Sequence, residues 1–348
     1  MPQEENKISG RKKDHIEICL TDEAAFRGKT TGFEKYDFIH DALTEVKLDE
    51  IDLSQNFLDK QISYPFLISC MTGGTIEAES INAQLAEAAN YLNIPVGVGS
   101  QRQMLDDHSK IDTYKIIKEK APNVPKLGNI GAAQVAKMGD VSDIQFLADV
   151  IDAAAMVIHL NPLQELIQPE GETDFAGLLK NIFRCVSGLS VPVIVKEVGA
   201  GISKSAAEKL LDSGVYGIDA AGAGGTSWAG VEMKRKNDSG ENAFWDWGLP
   251  TSYCIKEIAK LKNEKKFILI GSGGITDGFE AAKALALGAD IAASARPLLQ
   301  SVVEKGFEGL VNKFENWIDT LKKIMFLTGS KNLNELRKNK IIKKEELF

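Results

Sequence analysis

The sequence predicts a closed (β/α)₈ barrel, and three observations support this fold class. Short apolar runs of strand type recur about eight times along the chain. Segments with helical spacing separate these runs, and each run ends in small or polar residues. Strands that are apolar on both faces and alternate with helices indicate a parallel sheet. About eight such units fit a closed barrel of roughly 250 residues better than an open doubly wound sheet.

The strands and helices follow in regular order. The predicted strands are residues 65–71, 94–99, 126–130, 155–160, 191–195, 217–221, 267–270 and 290–294. Apolar side chains three or four residues apart predict two of the intervening helices, one with Ile81, Leu85, Ala88, Ala89 and Leu92, the other with Ala206, Leu210 and Leu211. The barrel is therefore expected at 64–329, after an N-terminal extension, 1–63, and before a charged C-terminal tail, 330–348.

Composition and charge exclude several function classes. The chain has 44% hydrophobic and 26% charged residues, which is typical of a globular protein. A formal net charge of -8 argues against nucleic-acid and anionic-membrane partners. The first ten residues do not form a signal peptide, and no apolar run approaches the ~20 residues of a membrane span. The four cysteines lack CxxC spacing, so we expect reduced thiols in the cytoplasm.

One connection, Gly222 to Pro250, is unusually long for a barrel. Connections of this length are usually lids or oligomer contacts, and the alternative is a disordered surface insertion. Trp228, Trp245 and Trp247 favour an ordered lid.

The fourth strand ends in an unusual group of polar side chains. His159, Asn161, Gln164 and Glu165 follow the apolar run 155–158, and Pro162 stops the strand after Asn161. Each polar group costs roughly 1–3 kcal/mol if it is buried without a partner. The segment is therefore either a solvated strand end or part of a site, and Asn161 has no assignment beyond shaping the pocket.

Strands seven and eight carry the elements of a phosphate site. Strand seven ends in Gly271-Ser272-Gly273-Gly274 and leads into a helix at about Asp277, and strand eight ends in Ala295-Arg296-Pro297. Barrels often bind phosphate at this place through backbone N–H groups. A plain tight turn is the alternative.

Lys196 closes the apolar strand VPVIVK, which would place its ammonium group at the end of the barrel where the strands finish. A flavin suits a lysine beside a phosphate site, and Thr72, Ser100 and Asn129 could hydrogen-bond its heteroatoms. The alternative is an ion pair between Lys196 and Glu197 or another carboxylate.

With these motifs in view, the chain resembles the type 2 isopentenyl-diphosphate isomerases, flavin-dependent enzymes that interconvert isopentenyl and dimethylallyl diphosphate. The resemblance covers Arg11 to about Gly329. It is carried by RKKDHI at 11–16, MTGG at 71–74, GSQR at 99–102, NIGA at 129–132, HLNPLQE at 159–165, QPEG at 168–171, VKEVGAGIS at 195–203, AGAGGTSW at 221–228, WGLPT at 247–251 and SGGI at 272–275.

The resemblance implies the site residues. FMN would be held by Met71, Thr72, Gly73, Ser100, Asn129, Lys196, Thr226, Gly273, Gly274, Ala295 and Arg296. The substrate diphosphate would be held by Arg11, Lys12, Ser100, Gln101, Arg102, His159 and Gln164, and Mg²⁺ by Glu165. Without the resemblance, the basic run at 11–13 would be a solvated arm, so it must fold across the end of the barrel to serve the site.

The implied reaction is a 1,3-allylic proton shift that uses reduced FMN. Gln164, His159 and Lys196 are the candidate catalytic residues: Gln164 orients substrate or shuttles a proton, His159 donates to the diphosphate or acts as an acid, and Lys196 stabilises anionic flavin. NAD(P)H is the expected reductant, visiting transiently because no GxGxxG opens a βαβ unit. The resemblance also implies a homotetramer or homo-octamer.

Two other classes of function are the alternatives: another FMN-dependent barrel enzyme and a non-catalytic barrel. A hydroxy-acid oxidase needs His and Arg after strand six, where this chain has AGAGGTSW, and an inosine monophosphate dehydrogenase needs a nucleophilic Cys at the same place, whereas Cys254 lies in a predicted helix. A non-catalytic barrel that binds a phosphorylated ligand would leave the polar group after strand four without a role.

Overall fold

The structure is a computed structural model that describes residues 10, 12, 14–236, 243–338 and 340–348. Eight parallel strands close into a barrel, in which each strand pairs with the next and the eighth pairs with the first. They are β1 (Phe66–Ile68), β2 (Val96–Gly97), β3 (Lys126–Gly131), β4 (Ala155–Leu160), β5 (Val193–Glu197), β6 (Gly217–Asp219), β7 (Ile268–Gly271) and β8 (Ile291–Ser294). The predicted fold class is confirmed.

Helices surround the strands and fill the connections. They are α1 (Ile76–Leu92), α2 (Arg102–Asp106), α3 (Asp112–Lys120), α4 (Ala132–Lys137), α5 (Ser142–Ile151), α6 (Pro162–Ile167), α7 (Leu178–Gly188), α8 (Lys204–Asp212), α9 (Trp228–Arg235), α10 (Thr251–Ala259), α11 (Gly278–Ala286), α12 (Arg296–Leu327) and α13 (Leu333–Leu336). Residues 14–20 form a further helix, here called the arm helix. Gly306, at φ 63°, interrupts α12 with a backbone conformation that favours glycine.

Several strands end at positions other than those predicted. β1 and β2 stop at Ile68 and Gly97, because the residues that follow leave the sheet and form the loops at the end of the barrel. β5 instead continues to Glu197, since Lys196 and Glu197 pair in register with the last two residues of β4. The predicted end of β4 is correct, and Pro162 starts α6.

The hydrophobic core has an inner and an outer layer. The outer layer lies between strands and helices and includes the predicted α1 face, all of whose five residues are buried. Inside the barrel, side chains such as Leu127, Val157 and Ile194 pack against Phe57 and Ile62. Phe57 and Ile62 belong to a hairpin of strands Gln55–Phe57 and Lys60–Ile62, so the N-terminal extension contributes to the inner core.

The two ends of the chain meet on the barrel. Strand Tyr36–Phe38 pairs antiparallel with strand Ile341–Lys343, and Leu333 and Leu336 of α13 are buried. Arg337 donates to the backbone carbonyls of Ala289 and Asp290. The tail thus packs against the barrel, and the division of the chain at residues 63 and 329 stays a prediction.

The described part of the long connection is ordered against the N-terminal extension. Trp245 is buried and donates its indole N–H to the carbonyl of Ala25 at 2.9 Å, and the Arg27 guanidinium lies 3.7 Å from the centre of its ring. Trp247 is exposed. Residues 237–242 lie outside the described part, and a lid role for the connection remains a prediction. No helix among the described residues has the length and apolar character needed to cross a bilayer.

Candidate functional site

A cavity of about 270 Å³ opens at the carboxyl ends of the barrel strands, and we call it the mouth cavity. The loops that follow the strands form its walls, together with the N-terminal segment that includes Lys12 and His15. Every residue that the sequence predicted as a flavin contact lines it. These residues are Met71, Thr72, Gly73, Ser100, Asn129, Lys196, Thr226, Gly273, Gly274, Ala295 and Arg296.

The ends of β7 and β8 form an anion cradle. Gly273 and Gly274 have φ angles of +106° and +71°, and a Cβ atom on Gly273 would lie 2.2 Å from the carbonyl oxygen of Gly222. Only glycine fits this turn, which leaves bare backbone N–H groups toward a ligand. Arg296 opens α12, and its buried Nη1 atom has no hydrogen-bond partner among the described residues, although Nη2 lies 3.8 Å from Asp22 Oδ1. A phosphate would satisfy this buried donor.

Lys196 lines the mouth cavity. Its ammonium group does not form the ion pair with the Glu197 carboxylate that the sequence left as an alternative. Its Nζ donates to the backbone carbonyl of Glu197 at 2.5 Å, whereas the Glu197 carboxylate accepts backbone N–H groups from residues 199–201. The adjacent strand places Asp219 in register with Lys196. Burial raises the pKa of Asp219, and the Lys196 charge opposes that rise. Lys196 therefore lies between a buried carboxyl and the cavity.

His159 is held as a neutral ring. Its Nδ1 lies 2.8 Å from Asn129 Oδ1, while Asn129 Nδ2 donates to the carbonyl of Val98, so Nδ1 carries the proton. Burial, together with the smaller effect of the nearby Lys196 charge, lowers the pKa of His159 to about 3. At neutral pH, Nε2 is therefore an acceptor. Donation from Nε2 to a diphosphate, as the sequence suggested, requires the ring to take up a proton.

The start of α6 organises the polar group after β4. Asn161 Nδ2 donates to Glu165 Oε1 at 2.9 Å and to Gln164 Oε1 at 3.3 Å. The backbone N–H of Glu172 donates to Glu165 Oε2 at 2.7 Å. Asn161 Oδ1 is buried, and no described residue hydrogen-bonds to it. Asn161, which had no assignment from the sequence, therefore fixes the side chains of Gln164 and Glu165.

Glu232 is a site residue that the sequence analysis missed. It lies on α9, is fully buried, and accepts hydrogen bonds from His15 at 2.9 Å, Gln164 at 3.0 Å and Arg235 at 2.5 Å. Burial raises the pKa of Glu232, but the hydrogen bonds and charge of His15, with Gln164 and Arg235, outweigh it and lower the pKa to about 2. Glu232 therefore joins the arm helix to the catalytic candidate Gln164. No local sequence signal separates it from the charged residues that follow it.

The predicted diphosphate contacts are only partly brought together. Ser100, His159 and Gln164 line the cavity. Lys12 and Arg102 also line it, and Arg102 Nε lies 3.7 Å from Asp106 Oδ2. Arg11 lies outside the described residues.

Gln101 does not reach the cavity, which corrects its prediction as a substrate contact. It is fully buried. Its Oε1 accepts the backbone N–H of Asn129 at 2.8 Å, and its Nε2 donates to the carbonyl of Leu147 at 2.9 Å. Because Gln101 is fully buried and both ends of its amide bond to backbone groups, its side chain does not face the mouth cavity.

The donor set suits a metal that is shared with a substrate better than one held by protein alone. Within the described ranges, no three His, Cys, Asp or Glu side chains converge as metal ligands. Among the described residues that line the mouth cavity, Glu165 is the one carboxylate. Magnesium commonly binds through one or two carboxylates together with substrate phosphates, so Glu165 fits that mode.

Comparison with known proteins adds two findings. The chain matches the family described as FMN-dependent dehydrogenase over residues 5–113 and 165–343. It is 43% identical to the isopentenyl-diphosphate delta-isomerase of Pelodictyon phaeoclathratiforme, over 97% of this chain and 98% of that protein. It is 44% identical to the protein of that name from Nostoc sp., over 95% of each chain, and 43% identical to that from Pyrococcus furiosus, over 95% of this chain and 86% of the relative.

Solved structures give the same barrel at low sequence identity. A flavocytochrome b2 variant aligns with TM-score 0.71 and 18% identity over 95% of this chain and 82% of that chain. A mandelate oxidase variant aligns with TM-score 0.66 and 17% identity over 96% and 94% of the two chains. At this identity, the likeness concerns the fold alone.

Proposed function

This chain belongs to the type 2 isopentenyl-diphosphate isomerase family, and from that premise we propose how its mouth cavity interconverts isopentenyl and dimethylallyl diphosphate. One observation carries the proposal. A single cavity combines an anion cradle at Gly273, Gly274 and Arg296 with a polar wall at His159 and Glu165. A flavin phosphate suits the first, and a diphosphate with Mg²⁺ suits the second.

The isomerase function is supported over the oxidoreductase alternatives, and the site agrees with it. The residues after β6 that line the cavity include Ala221, Gly222, Gly225 and Thr226, which cannot serve as the His and Arg of a hydroxy-acid oxidase. Cys254 is buried in α10, and burial raises its pKa to about 12. It is therefore no nucleophile for a dehydrogenase of the inosine monophosphate type.

The eleven cavity residues predicted as flavin contacts would hold FMN, with its phosphate at the cradle. When bound and reduced, FMN supplies a ring nitrogen that can exchange a proton with a substrate carbon. Lys196 lines the same cavity, and its positive charge would stabilise negative charge on the bound flavin. The buried Arg296 Nη1, which has no hydrogen-bond partner among the described residues, supports an anion at the cradle.

The reaction adds one proton to the terminal alkene carbon and removes one from the allylic carbon, so it has no net redox change. An unactivated alkene is a poor base, which means that the substrate must be held close to the acid and away from water. Gln164 is placed for this task, because Glu232 and Asn161 fix opposite ends of its amide. Its role is to orient substrate or to pass a proton.

The diphosphate would be held by residues that follow β2 and β4, together with Lys12 of the N-terminal segment. Lys12 and Arg102 supply positive charge, Ser100 and Gln164 supply polar groups, and Glu165 contributes a ligand to Mg²⁺. His159 joins them by taking up a proton when the anion approaches. Arg11 is expected to contribute from the same N-terminal segment. NAD(P)H as transient reductant, a homotetramer or homo-octamer, and a cytoplasmic location complete the proposal.

Substrate discrimination tests the proposed function. The protein is reconstituted with FMN, reduced anaerobically with dithionite, and given isopentenyl diphosphate with Mg²⁺. We expect dimethylallyl diphosphate as product, and no hydrogen peroxide when the aerobic, oxidised protein is given lactate or mandelate. Peroxide formation without isomerisation would favour an oxidase, and failure to bind flavin would favour a non-catalytic barrel.

A further inference from the structure

We propose that Tyr114 is a positioning residue, whose hydroxyl holds Lys12 and thereby keeps the N-terminal segment across the mouth cavity. The inference rests on the proposed function, because it assigns this segment to the binding of an anionic substrate. Tyr114 itself does not line the cavity. It acts through Lys12.

The Tyr114 hydroxyl makes two hydrogen bonds in opposite senses. Tyr114 lies on α3 and is fully buried. Its O–H donates to the carbonyl of Ser100 at 2.6 Å, and its oxygen accepts from Lys12 Nζ at 2.7 Å. A phenol has one proton to donate and lone pairs to accept, so both contacts are satisfied at once. Burial raises the pKa of Tyr114, which keeps the hydroxyl protonated.

Lys12 connects two loops of the barrel mouth. Besides the Tyr114 contact, its Nζ donates to the carbonyl of Gly73 at 2.6 Å and to that of Ser100 at 3.3 Å. An ammonium group has three protons, and these three oxygens lie after β1, after β2 and on α3. The charge of Lys12 is thereby fixed beside two residues that line the cavity, Gly73 and Ser100.

The ring of Tyr114 provides packing, and its hydroxyl provides hydrogen bonds. The ring packs against the bare backbone of Gly73, where a Cβ atom would lie only 2.1 Å from Tyr114 Cε1. A phenylalanine at this position would keep that packing. The hydroxyl, by contrast, is an acceptor for Lys12, and phenylalanine would remove that acceptor.

A second anchor holds the arm helix on the other side of the mouth. His15 bonds to Glu232 of α9 and stacks edge-on against Trp228 with ring centres 5.1 Å apart. Asp14 Oδ2 lies 3.6 Å from Arg235 Nε on the same helix. Because α9 follows β6, whereas Gly73 and Ser100 follow β1 and β2, the segment is tied at two separated places. Loss of the Tyr114 anchor should leave the arm helix tied at the α9 end alone, so that the helix opens more often.

The variant Tyr114→Phe tests the proposal in the FMN-loaded protein. We expect KM for isopentenyl diphosphate to rise roughly tenfold, which is about 1.4 kcal/mol, with kcat within about twofold and FMN affinity unchanged. Amide hydrogen exchange in residues 14–20 should accelerate. Tyr253→Phe, at an exposed tyrosine of α10, is the matched control and should change neither quantity. Unchanged KM and unchanged exchange in Tyr114→Phe would overturn the proposal.

The variant Lys12→Met tests whether the hydroxyl acts through Lys12. If it does, the double variant Tyr114→Phe/Lys12→Met has the same KM as Lys12→Met alone. A KM that rises by the product of the two single-variant factors would contradict the proposal. Hydrogen exchange needs no turnover, so it tests the anchor even in a protein that fails to isomerise the diphosphate. Should Tyr114→Phe not fold, Lys12→Met must itself accelerate exchange in residues 14–20, and unaltered exchange there would refute the anchor.

Discussion

Replacing Glu232 by glutamine removes the charge from a fully buried carboxylate that His15, Gln164 and Arg235 share. Glutamine has nearly the same shape, so the substitution tests the charge and not the packing. Arg235 keeps Glu170 as a partner at 3.1 Å, which limits the damage on that side. The variant should fold, with lower stability.

The magnitude follows from the pKa of Glu232, which falls from 4.5 to about 2 in the folded protein. Because the folded pKa is lower than the unfolded one, the stabilisation is complete above pH 4.5 and is lost as the pH falls toward 2. The difference corresponds to about 3 kcal/mol at pH 7 and about 1 kcal/mol at pH 3. Breaking a buried ion pair typically costs a similar ~3–5 kcal/mol.

Urea denaturation of the wild type and Glu232→Gln at pH 7, 5, 4 and 3 measures this difference. We expect the free energy of unfolding of the wild type to exceed that of Glu232→Gln by about 3 kcal/mol at pH 7 and 5, and by less at pH 4 and 3. If the difference in the free energy of unfolding does not change with pH, it comes from packing, and the Glu232 charge does not stabilise the fold as described. Fluorescence and circular dichroism must give the same midpoint for the two-state treatment to hold.

Three further predictions concern the cavity wall. Lys196→Ala should weaken FMN binding roughly tenfold in a fluorescence titration, and a fully flavin-loaded, fully active variant would contradict the cofactor assignment. Gln164→Ala should keep its FMN but lose about 10²-fold in turnover, so wild-type turnover would remove Gln164 from the mechanism. Because the pKa of His159 is lowered to about 3 in the folded protein, the unfolded chain takes up its proton first as the pH falls from 6.5 toward 3. The free energy of unfolding should therefore fall by about 1.4 kcal/mol per pH unit over this range. His159→Asn should lose that slope in urea denaturation, and an unchanged slope would show that the ring is not held neutral.

The fold could be predicted from the sequence because each barrel strand is a short run that is apolar on both faces. Periodicity gives the presence and order of such runs. Their ends depend on pairing with neighbours, so β5 reaches Glu197 only because β4 extends beside it. Likewise, no local pattern tells that the strand Ile341–Lys343 pairs with residues 36–38.

The predicted flavin contacts all line the mouth cavity, whereas the predicted diphosphate contacts are only partly brought together. In this fold, residues that follow strands meet at one end, so Gly273, Arg296 and Lys196 could be collected by position. Glu232 could not, because its role arises from the docking of α9 on the arm helix. Gln101, by contrast, follows a strand and was predicted as a substrate contact. Its side chain instead turns toward the helices and bonds to Leu147 of α5.

Product formation per reducing equivalent distinguishes isomerisation without net redox change from oxidation of the substrate. The FMN-loaded protein, reduced once with a single equivalent of dithionite and sealed without oxygen, is given excess isopentenyl diphosphate and Mg²⁺, and the reaction is followed by NMR. The account predicts many molecules of dimethylallyl diphosphate per flavin, with the flavin still reduced at equilibrium. One product or fewer per flavin, with the flavin oxidised, would contradict an isomerisation without net redox change.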